Sequence, residues 1–238
     1  MPRDLSKLKG CVAVIPAAGV GKRMQSKLPK QYLKIKDRSI LGITLDKFLS
    51  FSPVKLIVLV VSSHDTLYKN LREIENEKII IIDGGDERIH SVYNALCYLY
   101  DNGLADKTPV MVHDAVRPCV SHQDLQKLLD AFKSSQQPCL LTAPVVDTLQ
   151  SVNADQQIES LVDRSKIVRA LTPQMAQFIQ LKKSIESVID NKTLITDEVS
   201  ALCLNGYQVN AVTGQSDNIK ITHPDDLALA EFYLEQQI

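Results

Sequence analysis

The sequence predicts an α/β fold built on a doubly wound, mostly parallel sheet, with one projecting β-hairpin. Three observations carry that prediction. Short apolar runs, several rich in β-branched residues, recur along the chain; Val54–Val61 reads as a strand buried on both faces. Segments with apolar residues three and four apart separate these runs, and strand–helix alternation marks a parallel sheet. Polar clusters follow the strands, where open parallel sheets bind ligands.

In chain order, Val12–Ile15 is the first apolar run and ends at Pro16. From Asp37 the pattern turns helical, with Ile40, Leu41, Thr44, Leu45, Phe48 and Leu49 on one stripe, and Pro53 breaks it. Val54–Val61 is the second strand, a further helix is expected after His64, and Lys78–Ile82 is the third strand. Ser91–Tyr100 is helical and Gly103 ends it. Pro109–Val112 is the fourth strand. Ser121 is a credible N-cap for a helix over Asp124–Lys133, and Cys139–Ala143 is the fifth strand.

The register breaks at Pro144. Thr148–Val152 and Ile158–Val162, around Asn153-Ala154-Asp155, read as a β-hairpin that an α/β core does not need. It is either a harmless surface element or an oligomerisation arm. After Pro173 a helix is expected over Gln174–Ile189, then a shorter one over Asp197–Leu204 ended by Gly206. Tyr207–Val212 reads as the last strand, and Pro224 opens a closing helix, Asp225–Glu235. No repeat, low-complexity linker or domain boundary interrupts the 238 residues, so one domain over 1–238 is expected.

Composition narrows the function. A net charge of −1 gives no global field for nucleic acid or an acidic membrane. The five cysteines show no Cys-x-x-Cys spacing, so neither a zinc site nor a disulfide framework is indicated, and each reads as a small core residue in a reducing compartment. The first ten residues carry charges and no apolar core of a signal peptide; the longest fully apolar run, Leu56–Val61, is far too short to span a bilayer. A soluble, cytoplasmic protein is expected.

The chemistry is concentrated first in Val12–Tyr32. An apolar strand gives way to Ala17, Ala18, Gly19 and Gly21, then to Lys22, Arg23, Lys27 and Lys30. Glycine lets the backbone turn its N–H groups toward a phosphate, and the cations neutralise charge that dipoles alone cannot. The dinucleotide fingerprint fails because Met24 stands where its third glycine belongs, and the Walker A loop fails because Pro16 stands where its first glycine belongs. What remains is Gly-x-Gly-x-Arg followed by Pro29-Lys30, suited to a nucleoside triphosphate attacked at its α-phosphate. The alternative is a tight strand-to-helix turn with solvated lysines.

Two further clusters, Gly84–Arg88 and Asp114–Arg117, would share the same rim. Gly84-Gly85-Asp86 offers backbone and a carboxylate to a base edge, or is an ordinary turn. Asp114 suits a metal or a substrate hydroxyl and Arg117 a phosphate, or the two form a local ion pair. Thr196-Asp197-Glu198 reads locally as an N-cap with an acidic first turn, and Lys220 as a solvated strand lysine.

Taken together, PAAGVGKRM, PKQYL, DGGDER with Ser91, HDAVRPC, APVVDT, VDR, ALTPQ, ITDE with SAL, and DNIKITHPDDLALAEFYL resemble the 2-C-methyl-D-erythritol 4-phosphate cytidylyltransferases of the non-mevalonate isoprenoid pathway. The resemblance runs from about Cys11 to the C-terminal helix. PAAG-x-G-x-R alone marks only the wider nucleotidyltransferase superfamily. The fold implied is Rossmann-like, of the nucleotide-diphospho-sugar transferase type.

The resemblance implies transfer of CMP from CTP to methylerythritol phosphate, with Mg²⁺ carried mainly by the CTP phosphates and no dedicated metal residue. Arg23 and Lys30 match the catalytic cations. Ala17, Ala18, Gly19, Gly21, Gly85, Asp86 and Ser91 match the nucleotide site. Asp114, Arg117, Thr172, Thr196 and Lys220 match the polyol-phosphate pocket, Lys220 also among the catalytic cations. Thr148 and Arg164 match residues that an arm over 145–169 brings to a partner's site, which implies a homodimer. Val116, where many members have alanine, also occurs in ribitol-5-phosphate cytidylyltransferases and keeps that substrate open. A nucleotide-binding regulator without catalysis is the third reading.

Overall fold

The structure is a computed structural model that describes residues 3–19 and 28–237. Its frame is a seven-stranded sheet. Strand β1 (Cys11–Pro16) leads to a two-residue hairpin, β2 (Lys34–Ile35) and β3 (Arg38–Ser39), and helix α1 (Ile40–Leu49). Then follow β4 (Val54–Val61), β5 (Ile79–Asp83), α2 (Arg88–Asp101), β6 (Pro109–Val112), α3 (His122–Ser135) and β7 (Cys139–Pro144). The hairpin β8 (Leu149–Val152) and β9 (Ile158–Val162) precedes β10 (Val168–Gln177), α4 (Phe178–Asp190), α5 (Glu198–Leu204), β11 (Asn210–Thr213) and α6 (Asp225–Glu235).

The sheet order is β11-β7-β10-β6-β1-β4-β5. All pairings are parallel except those of β10, which is antiparallel to both β6 and β7. The chain runs outward from β1 through β4 to β5, then returns to lay β6 on the other side of β1. That reversal opens a crevice at the carboxyl ends of β1 and β6.

Alternate residues of each strand enter different cores. Ala13 and Ile15 pack with Leu41, Leu45 and Phe48 of α1 and Leu125, Leu128 and Phe132 of α3. Val12 and Val14 pack with Val92, Leu96 and Leu99 of α2 and Phe178, Leu181 and Ile185 of α4. Burial on both faces is why these strands are continuously apolar. Ser121 caps α3, its hydroxyl accepting from the Asp124 N–H, as its sequence position predicts.

Several expectations change. The segment after His64 forms two 3-10 turns, Leu67–Asn70 and Arg72–Glu75, because extended Leu71 (ψ 123°) divides it. Leu67, Leu71 and Ile74 still pack against the core. Gln174–Gln177 is strand, and α4 starts at Phe178. Gln174, Met175 and Ala176 pair with Val112, Met111 and Val110, and that ladder overrides their helix propensity. The last strand begins at Asn210, not Tyr207, and residues 37–39 belong to the small hairpin. Cys11, Cys119 and Cys139 are core residues, but Cys203 is exposed, on the outer side of a helix that buries Glu198, Ala201 and Leu202.

Candidate active site

Loops from four strand ends meet over the β1–β6 crevice and line a cavity of about 330 Å³. After β1, Ala17 is tied down at both ends of its peptide group. Its N–H donates to the Val60 carbonyl at 2.7 Å, and its carbonyl accepts from Gln31 Nε2 at 2.7 Å. Gln31 sits in the 3-10 turn Lys30–Tyr32 that Pro29 introduces. Lys30 lines the cavity, and its ammonium donates to the Ile221 carbonyl at 3.1 Å. Among the described residues, a Cβ at Gly19 would meet nothing within 4 Å.

The second loop follows β5. A Cβ at Gly84 would lie 2.7 Å from Ala18 Cβ and 2.8 Å from Ser91 Oγ; one at Gly85 would lie 2.5 Å from His90 Cβ. Both glycines are therefore required by packing, and Gly84 is what lets the two loops touch. Ser91 is buried at the start of α2, where its hydroxyl accepts from Gly85 N–H and donates to the Glu87 carbonyl, each at 3.2 Å. Asp86 is exposed on the cavity wall beside the first turn of α2.

The third loop follows β6, and its centre is Asp114. The carboxylate meets Lys220 at 2.9 Å, Arg88 at 3.0 Å and Arg117 at 3.4 Å. Burial alone would raise its pKa, but the three cations hold it well below the usual carboxylate range. Arg88 also binds Glu198 through two hydrogen bonds of 2.6 and 3.1 Å. Burial opposes the charge of Arg88, and Glu198 and Asp114 outweigh it.

Behind Asp114 the loop is braced by its neighbours. His113 is fully buried; its Nε2 lies 3.0 Å from the Arg117 carbonyl and its Nδ1 3.0 Å from Thr172 Oγ1. The Thr172 hydroxyl accepts from the Asp114 N–H at 3.2 Å. Arg117 Nη1 donates to the Asn218 carbonyl at 2.7 Å, and Asn218 Nδ2 donates to the Thr172 carbonyl at 2.8 Å.

Of the residues selected from sequence, Ala17, Ala18, Gly19, Lys30, Gly85, Asp86, Ser91, Asp114 and Lys220 line this one cavity. Gly21 and Arg23 lie outside the described residues. Arg117 and Thr172 are buried behind the wall, with their polar atoms engaged by the protein. Arg117 thus meets the local ion-pair expectation and braces Asp114 from behind. Lys220 follows β11 in a loop and pairs with Asp114, so it is not a solvated strand lysine. Thr196 is exposed between α4 and α5, 3.5 Å from Ser200 Oγ. Thr148 and Arg164 are exposed on the hairpin segment, where Arg164 donates to the Val146 carbonyl; neither lines the cavity of its own chain.

Sequence reading placed Arg88 on the rim but gave it no role, and it missed Glu198, Gln31, His113 and Asn218 as parts of this site. Arg88 and Glu198 stand inside DGGDER and ITDE, but nothing in the sequence signals that they pair across 110 positions.

Comparisons with known proteins agree with this assembly. The profile of the family 2-C-methyl-D-erythritol 4-phosphate cytidylyltransferase matches residues 11–236. A protein of that name from Actinobacillus pleuropneumoniae serotype 7 (strain AP76) is 44% identical over 225 residues, 94% of this chain and 96% of its own. One from Vibrio vulnificus (strain YJ016) is 43% identical over 238 residues, 100% of this chain and 98% of its own. The crystal structure of the Francisella tularensis 2-C-methyl-D-erythritol 4-phosphate cytidylyltransferase superposes with a TM-score of 0.81 at 33% identity, covering 94% of this chain and 99% of that one. With glycine loops, Lys30 and the Asp114 cluster gathered at one crevice and the likeness spanning nearly the whole chain, the protein belongs to the 2-C-methyl-D-erythritol 4-phosphate cytidylyltransferase family.

Proposed function

We propose that the cavity transfers CMP from CTP to 2-C-methyl-D-erythritol 4-phosphate, giving CDP-methylerythritol and pyrophosphate for isoprenoid precursor synthesis. The observation that carries this reading is the meeting of Gly19, Gly85 and Asp86 with Lys30, Lys220 and Asp114 around one cavity, in a chain of this family. Exposed backbone and Asp86 suit the cytidine. Lys30, with Arg23, suits the triphosphate and the charge growing at the α-phosphate. Lys220, held by Asp114, suits the phosphate of the polyol. A substrate phosphate oxygen attacks the α-phosphorus in line, and catalysis is positioning and charge stabilisation.

Mg²⁺, carried mainly by the CTP phosphates, would neutralise part of their charge. Among the described residues no group of three or more His, Cys, Asp or Glu is placed to hold a metal, and Asp114 is engaged by three cations. A small, hard ion that keeps nucleotide and water ligands suits such a site. Within the reading, the whole chain acts as one cytoplasmic unit and pairs as a homodimer. Residues 145–169 form the arm that carries Thr148 and Arg164 to the partner's cavity; Val146, Ile158 and Leu161, 73%, 66% and 68% exposed, give that segment apolar surface to bury. Among the described residues no helix is long and apolar enough to cross a membrane.

The test is pyrophosphate release from CTP and Mg²⁺ with methylerythritol 4-phosphate or ribitol 5-phosphate. Strong preference for methylerythritol phosphate is expected. Preference for ribitol phosphate would move the error to the pocket around Asp114 and Lys220, and no release with either would favour a silent nucleotide binder.

A further inference from the structure

We infer that Glu198 is a positioning residue for the polyol-phosphate side of the cavity, acting through Arg88 on Asp114; this rests on the reading of the cavity given above. Glu198 opens α5, its side chain is wholly buried, and it does not line the cavity. It accepts from Arg88 Nη1 at 2.6 Å and Nη2 at 3.1 Å, while Arg88 Nε donates to Asp114 Oδ1 at 3.0 Å. All three guanidinium nitrogens are engaged, so the planar fork is fixed in orientation. Arg88 then fixes Oδ1 of Asp114, which leaves Oδ2 for Lys220 at 2.9 Å and Arg117 at 3.4 Å. The ammonium of Lys220 inherits its place at the cavity wall from this chain of contacts.

Charge leads to the same conclusion. Among the described residues, the ion pairs of this cluster join three cations, Arg88, Arg117 and Lys220, to two carboxylates, Asp114 and Glu198. Without the Glu198 charge, Asp114 becomes the one carboxylate paired with these three cations. The freed fork of Arg88 can then take both Asp114 oxygens, and Lys220 loses its anchor.

Contacts other than those of Glu198 also seat α5. Asp197 caps the helix through the Ser200 N–H at 2.9 Å. Buried Gln174 donates to Asp197 at 2.8 Å and accepts from the Val199 N–H at 2.8 Å. Position and fold can therefore be separated experimentally.

The experiment is steady-state kinetics of Glu198→Gln with both substrates varied, alongside thermal unfolding. KM for methylerythritol phosphate should rise about tenfold, with KM for CTP within twofold of wild type and unfolding still cooperative, since small misplacements of a positioning group are costly. Unchanged KM for both substrates, or an equal rise in both, would overturn the inference. If Glu198→Gln does not fold, Glu198→Asp keeps the charge and withdraws it by one methylene. It should show a smaller rise for the same substrate alone, and wild-type kinetics would overturn the inference. Lys220→Ala is the control for the reading beneath it. If Lys220→Ala leaves KM for methylerythritol phosphate unchanged, the reading of the cavity fails and the positioning role falls with it.

Discussion

At the scale of single residues, His113 shows how a buried group sets the loop that carries Asp114. A carbonyl only accepts, so Nε2 carries the ring proton toward Arg117, and Nδ1 accepts from the Thr172 hydroxyl. The neutral ring is satisfied at both nitrogens, and burial lowers its pKa to about 4. Between about 4 and the ordinary 6.5, the unfolded chain binds a proton that the native chain does not. Stability contributed here is complete above pH 6.5 and falls as pH drops toward 4, by on the order of 3 kcal/mol. Urea unfolding of His113→Gln at pH 7 and pH 4.5 should show a smaller loss between the two values than wild type; an equal loss would refute the account of His113. Asp114 acts in the same direction at lower pH, because its depressed pKa makes its contribution fade only below the ordinary 3.8. The sequence marked Asp114 as a polar residue at the rim, while Lys220 by itself read as a solvated strand lysine and reached the site only through the family resemblance. It did not mark their pairing, because a contact between residues far apart in the chain leaves no local pattern.

At the scale of elements, local chemistry was legible where one signal ruled. Ser121 caps α3, the Pro144 break precedes the hairpin, and Val54–Val61 is the strand its β-branched run announces. It failed where tertiary pairing decided. Gln174–Gln177 carries helix-favouring residues, but the gap between β6 and β7 makes it a strand. The hairpin itself was legible, and its role is what needs measurement. If Arg164 works in the partner's cavity, Arg164→Ala and Lys30→Ala chains, each inactive alone, should regain activity when mixed. Each hybrid dimer keeps one intact site, so about a quarter of wild-type activity is expected at equal mixing. No recovery, with subunit exchange confirmed, would assign both residues to one chain's site.

At the scale of the whole molecule, strand order turns scattered motifs into one site. The return from β5 to β6 across β1 brings the loop after β1 beside those after β5 and β6, and β11 delivers Lys220 from the far end of the sequence. The alternation of strands and helices made the rim legible, and three of the four loops were expected there from sequence. The antiparallel placement of β10 was not legible, and it is that strand which sets Thr172 behind Asp114. The central claim is that this crevice performs the chemistry through its cations, and the most direct measurement is kcat for pyrophosphate release by Lys30→Ala, with its fold checked by circular dichroism. A loss of roughly 100-fold or more with the fold intact is expected when a group that stabilises transition-state charge is removed. A kcat within twofold of wild type would contradict the claim.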